Sequence, residues 1–174
     1  WAFEGFSAPS TGPLARTGTP WHWYADDSAA VGCGWRSPKP YERHDVAVID
    51  MVPGISAARL DAMLTPRPEA VLLRAYGVGN VPSDEPGLTD VIADVLHDGV
   101  PVVIASQCQQ AEVLLGHYET GDAIARAGAI GSGDMTLEAA YAKIMFLLSQ
   151  GVTGSDFGKW MKRPIAGEIS PSSL

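Results

Sequence analysis

Val71-Leu72-Leu73-Arg74-Ala75-Tyr76-Gly77-Val78-Gly79-Asn80 is the stretch on which the reading of this chain turns. Its first half is an apolar run of strand length, and its second half is a glycine-bracketed turn that stops the strand. After it, Leu88, Val91, Ile92, Val95 and Leu96 recur at i, i+3, i+4, i+7 and i+8, one apolar stripe along a helix. A strand, a turn and an amphipathic helix in that order make one βα unit.

The same alternation extends on both sides. Upstream, Val46-Ala47-Val48-Ile49-Asp50 reads as a strand buried on both faces, followed by a turn at Pro53-Gly54 and by Ser56 as N-cap of a helix around Ala57 to Leu64. Downstream, Pro101-Val102-Val103-Ile104-Ala105 is a third strand and Ala129-Ile130-Gly131 a short fourth. Leu137, Ala140, Tyr141, Ile144 and Leu148 then mark a helix ending at Gly151, with a shorter helix at Ser155 to Met161 and a polar tail beyond it. Repeated βα units imply a parallel sheet with helices on its faces and right-handed crossovers. The expected class is therefore α/β, a Rossmann-like three-layer α/β/α domain with a small parallel sheet, over residues 45–174.

Residues 1–44 differ in kind. They hold five glycines, five prolines and four of the five tryptophans, with no sustained helical or strand period. Flexible linkers are poor in aromatics, so Trp1, Trp21, Trp23 and Trp35 are expected to pack, preferentially on a partner surface outside this chain. The start at Trp1 rather than Met suggests a piece of a longer protein, with residues 1–44 as the end of a preceding domain plus an irregular linker.

Composition narrows the function. With 174 residues, 46% hydrophobic and 18% charged, the chain can bury a core without metal or disulfide staples. Twelve Lys+Arg against twenty Asp+Glu give a net charge of -8, and no basic run exceeds Lys162-Arg163, so no footprint for a phosphate backbone exists and no nucleic-acid partner is expected. No apolar stretch approaches the roughly 20 residues that span a bilayer, so no membrane partner is expected either. Cys33 and Cys108 lack metal-type spacing and suit a reducing, cytoplasmic compartment.

In open α/β sheets ligands bind beyond the carboxyl ends of the strands, which directs attention to residues 77–80, 106–110 and 131–136. Gly77-Val78-Gly79-Asn80 lacks the third glycine of a dinucleotide fingerprint, Pro82 standing in its place, so no nucleotide cofactor is expected. Arg74 sits inside an apolar strand and needs an anion, either an internal carboxylate such as Asp50 or Asp134 or the carboxylate of a ligand. Ser106, Gln107 and Cys108 bring a hydroxyl, an amide and a thiol to the rim of the sheet. Cys108 with His117 as base would make a cysteine hydrolase, but Gln107 and Gln109 are bulky flanks for a nucleophile elbow. Asp134 or Thr136 reads as a helix cap rather than part of a threonine-nucleophile trio with Lys143.

Five motifs in order then resemble a known family. Pro53-Gly54-Ile55-Ser56, Leu73-Arg74-Ala75-Tyr76-Gly77-Val78-Gly79-Asn80, Ser106-Gln107-Cys108, Gly116-His117-Tyr118-Glu119-Thr120-Gly121, and Gly128 through Ala139 together resemble the C-terminal domain of bacterial type I, cytoplasmic-type L-asparaginases. Ala2-Phe3 and Phe6-Ser7-Ala8-Pro9 are similar to the end of that family's larger N-terminal domain. The resemblance implies an amidohydrolase that converts L-asparagine and water to L-aspartate and ammonia through a threonine acyl-enzyme. The family's catalytic threonines belong to the N-terminal domain, so this chain carries no catalytic nucleophile of its own. Asn80 matches a substrate-binding position, while Arg74, Ser106, Gln107 and Cys108 match an effector site for asparagine. The partners implied are L-asparagine or L-aspartate, the N-terminal asparaginase domain, and further copies in a homodimer or dimer of dimers. Position 106 is Ser where Thr is common, Gln109-Gln110 replaces a smaller pair, and residues 11–40 align with nothing in the family. Rival readings of the same residues are a stand-alone amino-acid-binding module and the Cys108–His117 hydrolase.

Overall fold

The structure, a computed structural model, describes residues 12–24, 34–82, 85–115 and 119–170. A two-residue ladder comes first, β1 (Ala15–Arg16) antiparallel to β2 (His22–Trp23). The domain then runs β3 (Val46–Asp50), α1 (Ala57–Met63), β4 (Ala70–Ala75), α2 (Leu88–His97), β5 (Val102–Ser106), α3 (Glu119–Ala127), β6 (Ile130–Gly131), α4 (Leu137–Ser149) and α5 (Gly154–Met161). Strands β3, β4, β5 and β6 lie side by side in that order, and every pair is parallel.

Side chains alternate across β4 as strand pleating requires. Val71, Leu73 and Ala75 face a cluster with Leu60 of α1, Leu88, Ile92 and Val95 of α2, and Ile124 of α3. Ala70 and Leu72 face the other cluster, with Ala140, Ile144 and Leu147 of α4 and Phe157 and Met161 of α5. These are the three expected layers. Ser56 caps α1 by accepting from the Arg59 N–H, and Thr136 caps α4 by accepting from the Ala139 N–H, so the cap of the long helix is Thr136.

Three expectations need correction. β3 is not buried on both faces: it is an edge strand, and Val48 is 47% exposed. The reason is tertiary, since α4 packs over β4 and β5 and leaves β3 partly open on that side. Trp35 does not await an outside partner, because its ring packs 4.4 Å from Trp160 of α5 and edge-on at 5.2 Å from Phe146 of α4. Trp21 and Trp23 stack on each other at 6.0 Å and are 59% and 69% exposed. Helix α3 has no counterpart among the predicted elements.

The described residues after α5, as far as 170, form a packed strap. Lys143, buried in α4, holds Glu168 at 2.6 Å and donates to the Arg163 carbonyl at 2.8 Å. Glu168 also accepts from the Ile165 and Ala166 N–H groups, and Ile169 is 3% exposed in the second core cluster. Burial alone would raise the Glu168 carboxyl, but the Lys143 ammonium and the Ala166 and Ile165 amides outweigh it and hold the group below its usual range.

Because folded Glu168 gives up its proton more readily than the unfolded chain does, its stabilisation is complete above the ordinary value of 4.5 and is lost as pH falls through the lower folded value. Thermal unfolding measured from about pH 7 to about pH 3 should therefore fall less steeply in Glu168→Gln, which is already less stable at neutral pH. Parallel curves for the two proteins would show that this carboxylate is not what the acid limb titrates.

Candidate functional site

The carboxyl ends of β3, β4 and β5 form one polar rim. Arg74 and Asp50 are register partners on adjacent strands, and Arg74 Nη1 meets the two Asp50 oxygens at 2.9 and 3.1 Å. Of the two anions the sequence offered, the structure selects Asp50; Asp134 instead accepts the Ser170 N–H at 2.9 Å. The pair is not sealed, with side chains 29% and 50% exposed, and pairs of that exposure contribute about 0–1 kcal/mol. Arg74 Nε is buried and has no hydrogen-bond partner among the described residues.

Gln107 staples the strand ends together. Its backbone N–H extends the ladder to the Ala75 carbonyl at 2.9 Å, while its side-chain amide donates to the Met51 carbonyl at 2.6 Å and the Arg74 carbonyl at 2.9 Å. Ser106 Oγ donates to the Gly77 carbonyl and accepts from the Cys108 N–H at 2.9 Å. These two side chains shape the rim by holding backbone. Cys108 is a free, exposed thiol just beyond them. His117, its suggested base, lies outside the described residues.

Asn80 closes the neighbouring turn. The Tyr76 N–H donates to the Asn80 carbonyl at 2.8 Å and the Asn80 N–H returns to the Tyr76 carbonyl at 2.8 Å, an antiparallel bridge around residues 77–79. The turn needs its glycines, because Gly77 and Gly79 have φ of 49° and 115°, values that L side chains rarely adopt. A Cβ on Gly79 would also stand 2.9 Å from Val113 Cγ1. Asn80 is partly buried, and its backbone is fixed by the bridge to Tyr76.

The structure thus brings Arg74, Ser106, Gln107 and Cys108 to adjoining strand ends, with Asn80 on the turn that follows Arg74. Two further groups were not singled out from the sequence. Tyr76 Oη and Glu112 Oε1 are buried and have no hydrogen-bond partner among the described residues. An unmet polar atom of that kind costs about 1–3 kcal/mol, which a bound polar group would relieve. Glu112 carried one legible signal, a carboxylate directly before the apolar Val113-Leu114-Leu115.

No cluster of three His, Cys, Asp or Glu able to hold a metal occurs among the described residues. Nor is any helix among them long and apolar enough to cross a membrane. A cavity of about 330 Å³ lies instead between residues 39–41 and the outer face of α4, lined by Tyr41, Tyr141, Met145 and Phe146. It sits toward the amino edge of the sheet, where Glu42 bonds Ser149, and is separate from the rim.

Comparison with known proteins adds to this geometry. Residues 45–161 match the family described as Glutaminase/Asparaginase C-terminal domain. The chain is 34% identical to L-asparaginase 1 of Escherichia coli over 169 residues, 97% of this chain and 50% of that protein. It is also 34% identical over 128 residues to an L-asparaginase of Thermococcus kodakarensis, 74% of this chain and 38% of that one. Among solved structures, L-asparaginase I from Vibrio cholerae superposes with a TM-score of 0.82 at 32% identity, covering 98% of this chain and 52% of that one. The chain spans about half the length of L-asparaginase 1 of Escherichia coli and of the Vibrio cholerae structure.

Proposed function

Because the chain belongs to the Glutaminase/Asparaginase C-terminal domain family, we propose that it works as the C-terminal half of an L-asparaginase, hydrolysing L-asparagine to L-aspartate and ammonia. The observation that carries this reading is the match of 97% of the chain to half of an L-asparaginase. Residues 1–44 are the end of the preceding domain plus the linker, and residues 45–174 are the C-terminal domain. The nucleophilic threonine comes from the N-terminal asparaginase domain, and the assembly is a homodimer or dimer of dimers in the cytoplasm.

Within that assembly Asn80 binds substrate through its side-chain amide, carried on a backbone fixed by the bridge to Tyr76. Arg74, Ser106, Gln107 and Cys108 form the effector site for asparagine. The Arg74 pair supports this role: a half-exposed Asp50 holds the guanidinium weakly, through one nitrogen, and five N–H donors leave a face for a ligand carboxylate. Ser106 and Gln107 keep that face in place through the backbone atoms they bind.

Reconstitution tests the function: the chain combined with an N-terminal asparaginase domain should release ammonia from L-asparagine, and neither piece alone should. Release by this chain alone would overturn the assignment of the nucleophile. For the effector site, Arg74→Ala is expected to weaken L-asparagine binding by at least about tenfold, the scale of a lost charge-assisted hydrogen bond. Equal dissociation constants for the two proteins in equilibrium titration would remove Arg74 from the site.

A further inference from the structure

The C-terminal strap is joined to the turn that carries Asn80 by a continuous series of contacts. The Ser170 N–H donates to Asp134 Oδ1 at 2.9 Å. Beside Asp134, Gly133 exchanges hydrogen bonds with Val113, the Val113 N–H reaching the Gly133 carbonyl at 2.9 Å and the Gly133 N–H returning at 3.2 Å. Val113 in turn abuts Gly79 so closely that a Cβ there would meet its Cγ1 at 2.9 Å. The Gly79 and Asn80 N–H groups both donate to the Tyr76 carbonyl, at 3.0 and 2.8 Å. Four segments far apart in sequence are thereby stacked in order: strap, loop before α4, loop after β5, turn after β4.

The strap's other end is held by a charge that has left solvent. Lys143 Nζ sits between Glu168 and the Arg163 carbonyl, and Ile169, the residue between Glu168 and Ser170, is buried in the core. Gly34 adds a backbone bond to the Ile165 carbonyl at 3.2 Å. With Glu168 and Ile169 held immediately before it, Ser170 has little freedom to leave Asp134.

We propose that residues 163–170 are a positioning element for the Asn80 turn, with Glu168 and Ser170 acting through Asp134 and Val113 rather than by touching any ligand. Close-packed contacts with no slack transmit displacement, whereas a solvated loop would absorb it. The consequence for substrate rests on the asparaginase reading above; the mechanical link does not.

Amide hydrogen exchange on the 174-residue chain tests the link directly. Ser170→Pro removes the N–H that Asp134 accepts, and Glu168→Gln removes the charge opposite Lys143. In both variants, exchange at Val113, Gly133, Gly79 and Asn80 is expected to rise by about tenfold more than exchange at Leu72 and Leu73 in β4, which report any loss of global stability. Acceleration confined to residues 163–170, or shared equally by Leu72 and Leu73, would overturn the proposal. L-asparagine titration of the wild-type chain is the separate control: silence there would count against the ligand reading while the exchange pattern still decides the link.

Discussion

Asn80→Ala should lower kcat/KM for L-asparagine by about 100-fold in the enzyme reconstituted from this chain and an N-terminal asparaginase domain, the scale of losing one well-placed polar contact to the reacting group. The physical basis is the separation of roles at that residue. Its backbone forms the bridge to Tyr76, and alanine keeps both of those hydrogen bonds, so the bridge itself does not depend on the side chain. The far-ultraviolet spectrum should therefore match wild type while ammonia release falls. Unchanged kinetics would place Asn80 outside the substrate site, and a lowered melting temperature would make its amide a structural group.

The second large effect concerns stability. Gly131 lies in the two-residue strand β6, and a Cβ added there would stand 2.5 Å from the Val113 carbonyl oxygen, a backbone atom that cannot rotate away. Gly131→Ala must displace either β6 from β5 or Val113 from its bridge to Gly133. The expected cost is about 3 kcal/mol. For a chain of this length that corresponds to a melting temperature lower by about 6–12 °C. Gly158 in α5 is the internal contrast, since its added Cβ would meet Ile130 at an ordinary 3.6 Å. Gly158→Ala should hold or raise the melting temperature, by the roughly 0.4–1 kcal/mol gained when a helical glycine is replaced. Equal melting temperatures for Gly131→Ala and wild type would mean that the loop after β5 yields freely.

The contrast between these glycines shows what a sequence can and cannot carry. The strand cores, the stripe of α2, the Ser56 cap, and a cap at Asp134 or Thr136 were legible because each depends on neighbours within a few residues. The exposure of Val48 was not, since burial of an edge strand depends on which helix crosses it. Helix α3 was hidden by its polarity, with glycine at position 121 and Ile124 as the buried anchor among its described side chains.

At the rim the division is similar. Arg74 announced its need for an anion, and Asp50, one of the two carboxylates named for it, lies level with it on the adjacent parallel strand. Gln107 gave no hint that its amide would tie β3 to β4, because that role exists only where three strand ends converge. Lys143 entered only as a member of a threonine-nucleophile trio, and its partner Glu168 lay in a segment that reads as a polar tail. Contacts of that separation are fixed by the fold, and the fold had to be known first.

The most direct test is a calorimetric titration of L-asparagine into the purified 174-residue chain, with ammonia assayed in the same cell. A chain that supplies a binding rim but no nucleophile gives heat that saturates, with no ammonia released. Sustained heat with ammonia, or no saturable heat at all, would contradict the account.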